Sequence, residues 1–134
     1  MVIDTMVFVY ALLGVPPFHR EATDVLRKVS EIWVPDSIHA ELTNVVWQWV
    51  THKNVSRIQA QQVLEDASGL IDEVTPTDTL WLTALDLAIR ENHPAYDTIF
   101  VSLAIEKNSK VITYDKKLLK KFPNETMTPA DFLK

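Results

Sequence analysis

Short apolar runs alternate with longer amphipathic segments along the chain. Five of these runs each predict a β-strand: residues 2–3, 32–34, 70–74, 111–113 and 126–127. Between them, apolar residues recur every three or four positions, which is the spacing of an amphipathic helix. Strands that alternate with helices predict an α/β fold with a mainly parallel sheet and helices on both faces.

Local signals predict where several helices begin and end. Residues 56–59 form a capping box at the start of one helix, and residues 35–37 supply capping groups ahead of another. The two glycines, Gly14 and Gly69, stand where helices are expected to stop. The segment at residues 92–94 ends a further helix, because a proline disfavours helical backbone in the residue before it.

The length of 134 residues predicts a single domain covering residues 1–134. A chain of this size buries enough apolar surface to fold without disulfides or a structural metal. The absence of cysteine excludes a disulfide framework, a thiolate zinc site and a cysteine nucleophile. No apolar stretch reaches the ~20 residues of a membrane span. Because Asp4 stands where a signal peptide needs basic residues, we expect a cytoplasmic protein without a membrane segment.

The charge is acidic overall but unevenly distributed. With 13 basic and 18 acidic residues, the net charge of −5 argues against a broad nucleic-acid-binding surface. Six of the basic residues nevertheless fall in the segment that contains Asp115: Lys107, Lys110, Lys116, Lys117, Lys120 and Lys121. We expect this cluster, including Lys116 and Lys117 beside Asp115, to contact substrate phosphates. A solvated helix face is the alternative interpretation.

Four acidic residues stand at positions that can meet. Asp4 and Asp115 follow apolar strands, and ligands of open α/β sheets bind at the carboxyl ends of strands. Glu41 lies in the first turn of a helix, on a polar stripe beside its apolar face. Asp97 begins a helix that is apolar on nearly every side and is therefore predicted to be buried. Helix capping for the aspartates and a solvated face for Glu41 are the structural alternatives.

Convergence of these carboxylates requires a counter-charge. Two unit charges ~4 Å apart repel by about 4 kcal/mol at an effective dielectric constant near 20. A divalent cation removes this cost, and hard oxygen ligands suit Mg²⁺ or Mn²⁺ better than Zn²⁺. Such a centre is suited to the hydrolysis of phosphodiester bonds.

Four segments of the chain together resemble the PIN-domain family, and VapC-type toxins in particular: VIDT at residues 2–5, PDSIHAEL at 35–42, AYDTIFVSLA at 95–104 and VITYDKKL at 111–118. The resemblance implies a three-layer α/β/α sandwich and a Mg²⁺- or Mn²⁺-dependent endoribonuclease that cleaves RNA. Its catalytic and metal-binding acids would be Asp4, Glu41, Asp97 and Asp115. It further implies a homodimer held inactive by a cognate, VapB-like antitoxin.

Two positions depart from the family pattern. Met6 stands where many relatives have serine or asparagine, and Lys117 where some add an acid, so we expect one tightly bound metal ion. Thr5 and Thr113 lie within two residues of proposed ligands, where their hydroxyls could orient a carboxylate. His39 points away from Glu41, because positions i and i+2 diverge on a helix, and no other histidine has a flanking constellation.

Three other classes of function are alternatives to a ribonuclease. A catalytically silent PIN-like interaction module is the main alternative, and Met6 and Lys117 favour it. A phosphotransferase of the haloacid-dehalogenase type is disfavoured because it needs a second aspartate at position 6, which is Met6 here. A receiver domain is disfavoured because it needs an acidic pair after the first strand.

Trp47 and Trp49 cannot both face one core, so one of them is expected at an interface with a second copy or an antitoxin.

Overall fold

The computed structural model describes residues 1–134 and contains one five-stranded sheet. Its strands are β1 (Val2–Ile3), β2 (Trp33–Pro35), β3 (Glu73–Thr75), β4 (Val111–Ile112) and β5 (Thr126–Met127). The order is β3-β2-β1-β4-β5, and every neighbouring pair is parallel. The predicted α/β architecture with a parallel sheet flanked by helices is confirmed.

Eight α-helices connect and cover the strands: α1 (Thr5–Leu12), α2 (His19–Lys28), α3 (Ile38–His52), α4 (Arg57–Leu70), α5 (Trp81–Glu91), α6 (Ala95–Glu106), α7 (Lys116–Lys121) and α8 (Pro129–Leu133). A 3-10 turn at Thr77–Thr79 precedes α5. The sequence did not lead us to expect α8, although Thr128 caps it by accepting the Asp131 N–H at 3.0 Å. No helix is both long and apolar enough to cross a membrane.

The hydrophobic core is one cluster of 27 buried residues centred on the sheet. Both residues of β1 are fully buried, because this strand lies in the middle of the sheet. The helix predicted to be buried, α6, packs against β1, β2 and β4, and its middle is buried, while Tyr96 near its start and Ile105 near its end are exposed. Its buried Thr98 hydroxyl donates to the Ala84 carbonyl of α5 at 2.7 Å, which joins the two helices.

The predicted helix ends are right in part. The capping box is present, because Ser56 accepts the Gln59 N–H and Gln59 accepts the Ser56 N–H. Gly69 does not end α4, which continues to Leu70, so that prediction is wrong. Residues 35–37 precede α3 as predicted, and Ser37 occupies the cap position, but its side chain makes no capping hydrogen bond.

The sheet topology brings the carboxyl ends of β1 and β4 together. In chain order, β1, β2 and β3 lie side by side toward one edge of the sheet. The chain then crosses to β4 and β5, which lie on the other side of β1. Because all strands are parallel, their carboxyl ends share one edge, and the order of connection reverses at β1. Asp4 follows β1 and Asp115 follows the adjacent β4. The fold therefore places both aspartates at the reversal point, where α/β proteins bind ligands.

We expect Ser56→Ala to lower the free energy of unfolding by about 1 kcal/mol, because the capping box loses the side-chain acceptor of the Gln59 N–H. Urea unfolding followed by circular dichroism measures this change. Ser68→Ala, an exposed position in the same helix, is the matched control and should leave stability unchanged or slightly raised. Equal stability of the two variants would contradict the capping role.

Candidate functional site

A cleft with a volume of about 710 Å³ opens at the carboxyl edge of the sheet. All four acids singled out from the sequence line it. Its walls comprise Asp4, Thr5, Met6, Tyr10, Ala40, Glu41, Asn44, Val45, Tyr96, Asp97, Tyr114 and Asp115. Residues far apart in the chain, from α1, α3, α6 and the ends of β1 and β4, thus meet in one place.

Asp4 is held by hydrogen bonds to both of its carboxylate oxygens. Oδ1 accepts the Thr5 N–H at 2.8 Å, which caps α1, and Oδ2 accepts the Thr113 hydroxyl at 2.6 Å. The pKa of Asp4 is raised to about 6, mainly by burial and also by repulsion from Asp97 and Asp115. The two hydrogen bonds oppose this rise. Asp4 is therefore a fixed carboxylate that readily accepts a proton or a cation.

The Thr113 hydroxyl links the two strand-end aspartates. It donates to Asp4 Oδ2 and accepts the Asp115 N–H at 3.0 Å, so both of its hydrogen-bonding capacities are used. Thr113 is fully buried, which fixes this geometry. The Thr5 hydroxyl is different, since it is buried without a partner and Thr5 contacts Asp4 only through its backbone N–H.

Asp115 serves as a helix cap as well as lining the cleft. Its Oδ1 accepts the Leu118 N–H at 3.0 Å and closes the first turn of α7. The structural interpretation of an aspartate after a strand is thus correct for both Asp4 and Asp115, yet both side chains still face the cleft. Capping uses one oxygen of Asp115 and leaves Oδ2 for other partners.

Asp97 pairs with a histidine that the sequence did not single out. His93 Nε2 lies 2.7 Å from Asp97 Oδ2, and the His93 side chain is almost completely buried. Ligand atoms of His93, Asp97 and Asp115 all lie within 4.8 Å of one another. The expectation that no histidine has a partner constellation is therefore wrong. The i, i+4 spacing of His93 and Asp97 was the available signal, but Pro94 between them suggested a break rather than a helix start.

Asp97 lies in the first turn of α6 but does not cap it, because Pro94 occupies the cap position. Burial raises the pKa of Asp97, and the hydrogen bond from His93 opposes this shift by stabilising the ionised form. The Asp97 carboxylate therefore makes no capping hydrogen bond to the helix and is oriented by its hydrogen bond with His93.

Glu41 is the least satisfied acid of the four. It lies on α3, and its Oε2 is buried without any hydrogen-bond partner. Burial raises the pKa of Glu41 to about 8, and repulsion from Asp4 and Asp97 adds to this shift. A buried acceptor without a donor is costly. Glu41 is therefore the side chain with most to gain from a cation in the cleft.

The basic cluster predicted beside Asp115 is divided by the fold. Lys116 and Lys117 are exposed at the start of α7, next to the cleft. Lys107 instead follows α6, where its Nζ binds Glu73 Oε1 at 2.7 Å, and Lys110 precedes β4 at the opposite edge of the sheet. The six lysines therefore do not form one cluster beside Asp115, because β4 separates Lys107 and Lys110 from Lys116 and Lys117.

Comparison with known proteins places the chain within a described family. The PIN domain family model matches residues 1–124. No curated protein matches the sequence. Three solved structures share the fold over nearly the whole length of both chains. They are a toxin-antitoxin complex from Klebsiella pneumoniae, VapBC2 from Rickettsia felis bound to a DNA fragment from their promoter, and FitAcB from Neisseria gonorrhoeae.

The TM-scores of these three structures are 0.70, 0.65 and 0.67, and their sequence identities are 16%, 18% and 14% in the same order. The alignments cover 96%, 95% and 96% of this chain and 96%, 96% and 97% of the respective structures. The likeness is therefore one of fold, retained at low sequence identity.

We expect Glu41→Gln to stabilise the chain at alkaline pH in the absence of divalent metal. Because the folded pKa of Glu41 is raised from 4.5 to about 8, its contribution to stability is complete below pH 4.5 and is lost as the pH rises through 8. The glutamine cannot ionise, so the variant should gain on the order of 1–2 kcal/mol over wild type at high pH, after allowance for solvent screening.

Urea unfolding in a chelating buffer at acidic and alkaline pH measures this gain. Glu65→Gln, at an exposed position of α4, is the matched control and should show the wild-type pH dependence. A parallel pH dependence of wild type and Glu41→Gln would contradict the electrostatic description of the cleft.

Proposed function

The chain belongs to the PIN domain family, and on that basis we propose that it is a metal-dependent endoribonuclease that hydrolyses phosphodiester bonds in RNA. The observation that carries this proposal is the convergence of four acidic side chains on one cleft at the carboxyl edge of the sheet. Their carboxylates repel one another, and burial makes ionisation costly for Asp4, Glu41 and Asp97. A site of this kind favours a cation over empty ionised acids.

The donor set of the cleft fits Mg²⁺ or Mn²⁺. The four acids offer only oxygen, the unpartnered Glu41 Oε2 is available, and the cleft has room for water and a phosphate group. We propose that Asp4, Glu41, Asp97 and Asp115 hold the cation. Bound there, it would supply positive charge opposite a phosphate oxygen and lower the pKa of an attacking water.

Neighbouring side chains stabilise and orient two of the carboxylates that would hold the cation. The Thr113 hydroxyl stabilises the ionised form of Asp4 and fixes its orientation, and His93 does the same for Asp97. Glu41, with its raised pKa, holds a proton at neutral pH until a cation displaces it. We propose that Lys116 and Lys117, which are exposed next to Asp115, contact substrate phosphates.

We also propose a cognate antitoxin as a partner, supported by the fold shared with a toxin-antitoxin complex, with VapBC2 and with FitAcB. An antitoxin of the VapB kind would keep the nuclease inactive until it is released. The exposed Trp47 on α3 is available for such a contact, while Trp49 packs partly against the core, so the two tryptophans diverge as expected.

A homodimer is supported by the outer face of α5. Ala84 and Leu87 bury the inner face of this helix, while four large apolar side chains stand exposed on the other: Trp81, Leu82, Leu85 and Ile89. An exposed apolar stripe of this kind suits an interface between two copies related by a two-fold axis. We propose that a second copy of the chain covers it.

A catalytically silent interaction module remains the second candidate. Met6, which lines the cleft where many relatives have a polar residue, and Lys117, which stands where some add an acid, are the observations in its favour. The two candidates differ in metal binding. A nuclease binds Mn²⁺ through the four acids, and a silent module gives no heat of Mn²⁺ binding in isothermal titration calorimetry.

We expect Asp97→Asn to abolish Mn²⁺-stimulated cleavage of RNA by the purified chain, reducing the rate at least about 100-fold. The fold should be retained because Asp97 caps no helix. Cleavage of labelled RNA, together with Mn²⁺ titration calorimetry and circular dichroism, measures all three properties. Asp86→Asn, at an exposed position of α5, is the matched control. Unchanged cleavage by Asp97→Asn would reject the assignment.

We expect Leu82→Glu to produce a monomer, because a charge on the outer face of α5 cannot be buried between two copies without a partner. Sedimentation velocity measures the oligomeric state. Ile58→Glu, which places the same charge at an equally exposed apolar position on α4, should leave the dimer intact. A dimer that survives Leu82→Glu, or that dissociates only with Ile58→Glu, would place the interface elsewhere.

A further inference from the structure

His93 brings a buried nitrogen atom to the edge of the acidic cleft. Its Nε2 lies 2.7 Å from Asp97 Oδ2, and a ring nitrogen of His93 lies within 4.8 Å of a carboxylate oxygen of Asp115. The His93 side chain is only 3% exposed, whereas the other three histidines of the chain are exposed and belong to no such group. His93 is therefore the one imidazole that accompanies the oxygen donors of this site.

The backbone on both sides of His93 fixes where its ring lies. Asn92 ends α5 in the left-handed region, with a φ of 49°, and Pro94 occupies the cap position of α6. Between them, the His93 N–H donates to the Ala88 carbonyl of α5 at 3.1 Å. The ring is thus held in a short link between two helices, and Asp97 follows in the first turn of the second helix.

Helix α7 also holds this link in place. Near its carboxyl end, Lys121 Nζ donates to the Asn92 carbonyl at 2.7 Å. The ring of Phe122, which follows the helix, meets the His93 ring edge to face with centroids 6.2 Å apart. At its amino end the helix is capped by Asp115. One short helix therefore contributes to the positions of both His93 and Asp115.

The separations within this group suit ligands of one cation. Two neighbouring ligands of an octahedral cation, each bound at about 2.1 Å, lie about 3 Å apart, and two opposite ligands lie about 4 Å apart. The separation of 2.7 Å between His93 Nε2 and Asp97 Oδ2 is close to the first value, and no two ligand atoms of the group are more than 4.8 Å apart. Small side-chain rotations are enough to bring all three atoms onto one ion.

Structural roles do not occupy all the polar atoms of this group. The bond to Asp97 is the only side-chain hydrogen bond of His93, and Asp97 caps no helix. Asp115 caps α7 with Oδ1, which leaves its Oδ2 for other partners. A buried polar pair without a structural partner needs an explanation of its own.

We propose that His93 joins the four acids as a nitrogen ligand, so that its Nε2 and the carboxylates of Asp97 and Asp115 bind a divalent transition-metal cation. This inference rests on the proposed metal-dependent function and adds a donor atom that the four acids lack. Coordination uses the neutral ring with its proton on Nδ1, which leaves the Nε2 lone pair for the cation. Because imidazole suits first-row transition metals better than Mg²⁺, the site should select Mn²⁺ over Mg²⁺.

The first test detects the nitrogen ligand directly and needs neither RNA nor a substitution. Electron spin echo envelope modulation of the full chain with bound Mn²⁺ reports nitrogen nuclei that are coordinated to the ion. The wild-type chain should show such a coupling, and isotopic labelling of the histidine nitrogens should change it. A coupling that labelling leaves unchanged would overturn the proposal.

The second test separates coordination from orientation of Asp97. In His93→Gln, the glutamine amide can still donate a hydrogen bond to Asp97 but offers no imidazole nitrogen. We expect calorimetry to show Mn²⁺ affinity at least about 10-fold weaker and Mg²⁺ affinity within about twofold of wild type. The nitrogen coupling should disappear. His52→Gln, at an exposed position at the end of α3, is the matched control and should change none of these properties.

The outcomes distinguish this inference from the function on which it rests. Bound Mn²⁺ without nitrogen coupling, or coupling and Mn²⁺ affinity that persist in His93→Gln, overturns the ligand and leaves the nuclease standing. Bound Mn²⁺ with nitrogen coupling but without RNA cleavage rejects the nuclease alone. Failure of the wild-type chain to bind Mn²⁺ rejects both. If circular dichroism shows that His93→Gln does not fold, the labelled wild-type chain decides the question.

Discussion

The mutual repulsion of four carboxylates in one partly buried cleft is the constraint on which the rest of the site depends. Water cannot fully relieve this repulsion, because burial is the largest cause of the raised pKa values of Asp4, Glu41 and Asp97. Two hydrogen-bonding side chains, held in place by the fold, oppose this repulsion. Thr113 and His93 each stabilise one ionised carboxylate, while Glu41 has no such donor. Because of this imbalance, Glu41 is the carboxylate whose ionised form the protein stabilises least.

The same acids also stabilise the fold. Asp4 caps α1 and Asp115 caps α7, so these two side chains contribute to helix stability even with no ligand present. Asp97 caps nothing and Glu41 has an unpartnered oxygen. The site therefore combines two carboxylates that the backbone positions with two that are available mainly for function. This division explains how groups that repel one another persist together at the carboxyl edge of the sheet.

The charge of the whole chain says little about its interactions, because the fold separates charges that are close in sequence. Lys107 is drawn to Glu73 and to the face of Trp33, whereas Lys116, nine positions later, lies beside the cleft. Conversely, Arg20 and Arg27 come from a segment without an evident basic cluster, yet they line one hollow on α2. Apolar residues behave likewise, since α5 is apolar on both an inner and an outer face.

The sequence by itself determined the alternation of strands and helices and the two aspartates, Asp4 and Asp115, that follow strands, because these follow from local periodicity and from the parallel connection of β-α units. It could not determine contacts between distant segments. The Thr113 hydroxyl meets Asp4 across 109 positions, the stacking of Phe18 on Tyr10 depends on how α2 packs, and His93 faces Asp97 only because α6 begins at Ala95. Periodicity reports which face of an element is apolar, but only tertiary packing decides which groups share a cleft. For the same reason α4 continues one residue past Gly69 and Ser37 makes no capping bond with its side chain, since a helix end is decided by its neighbours as well as by its own residues.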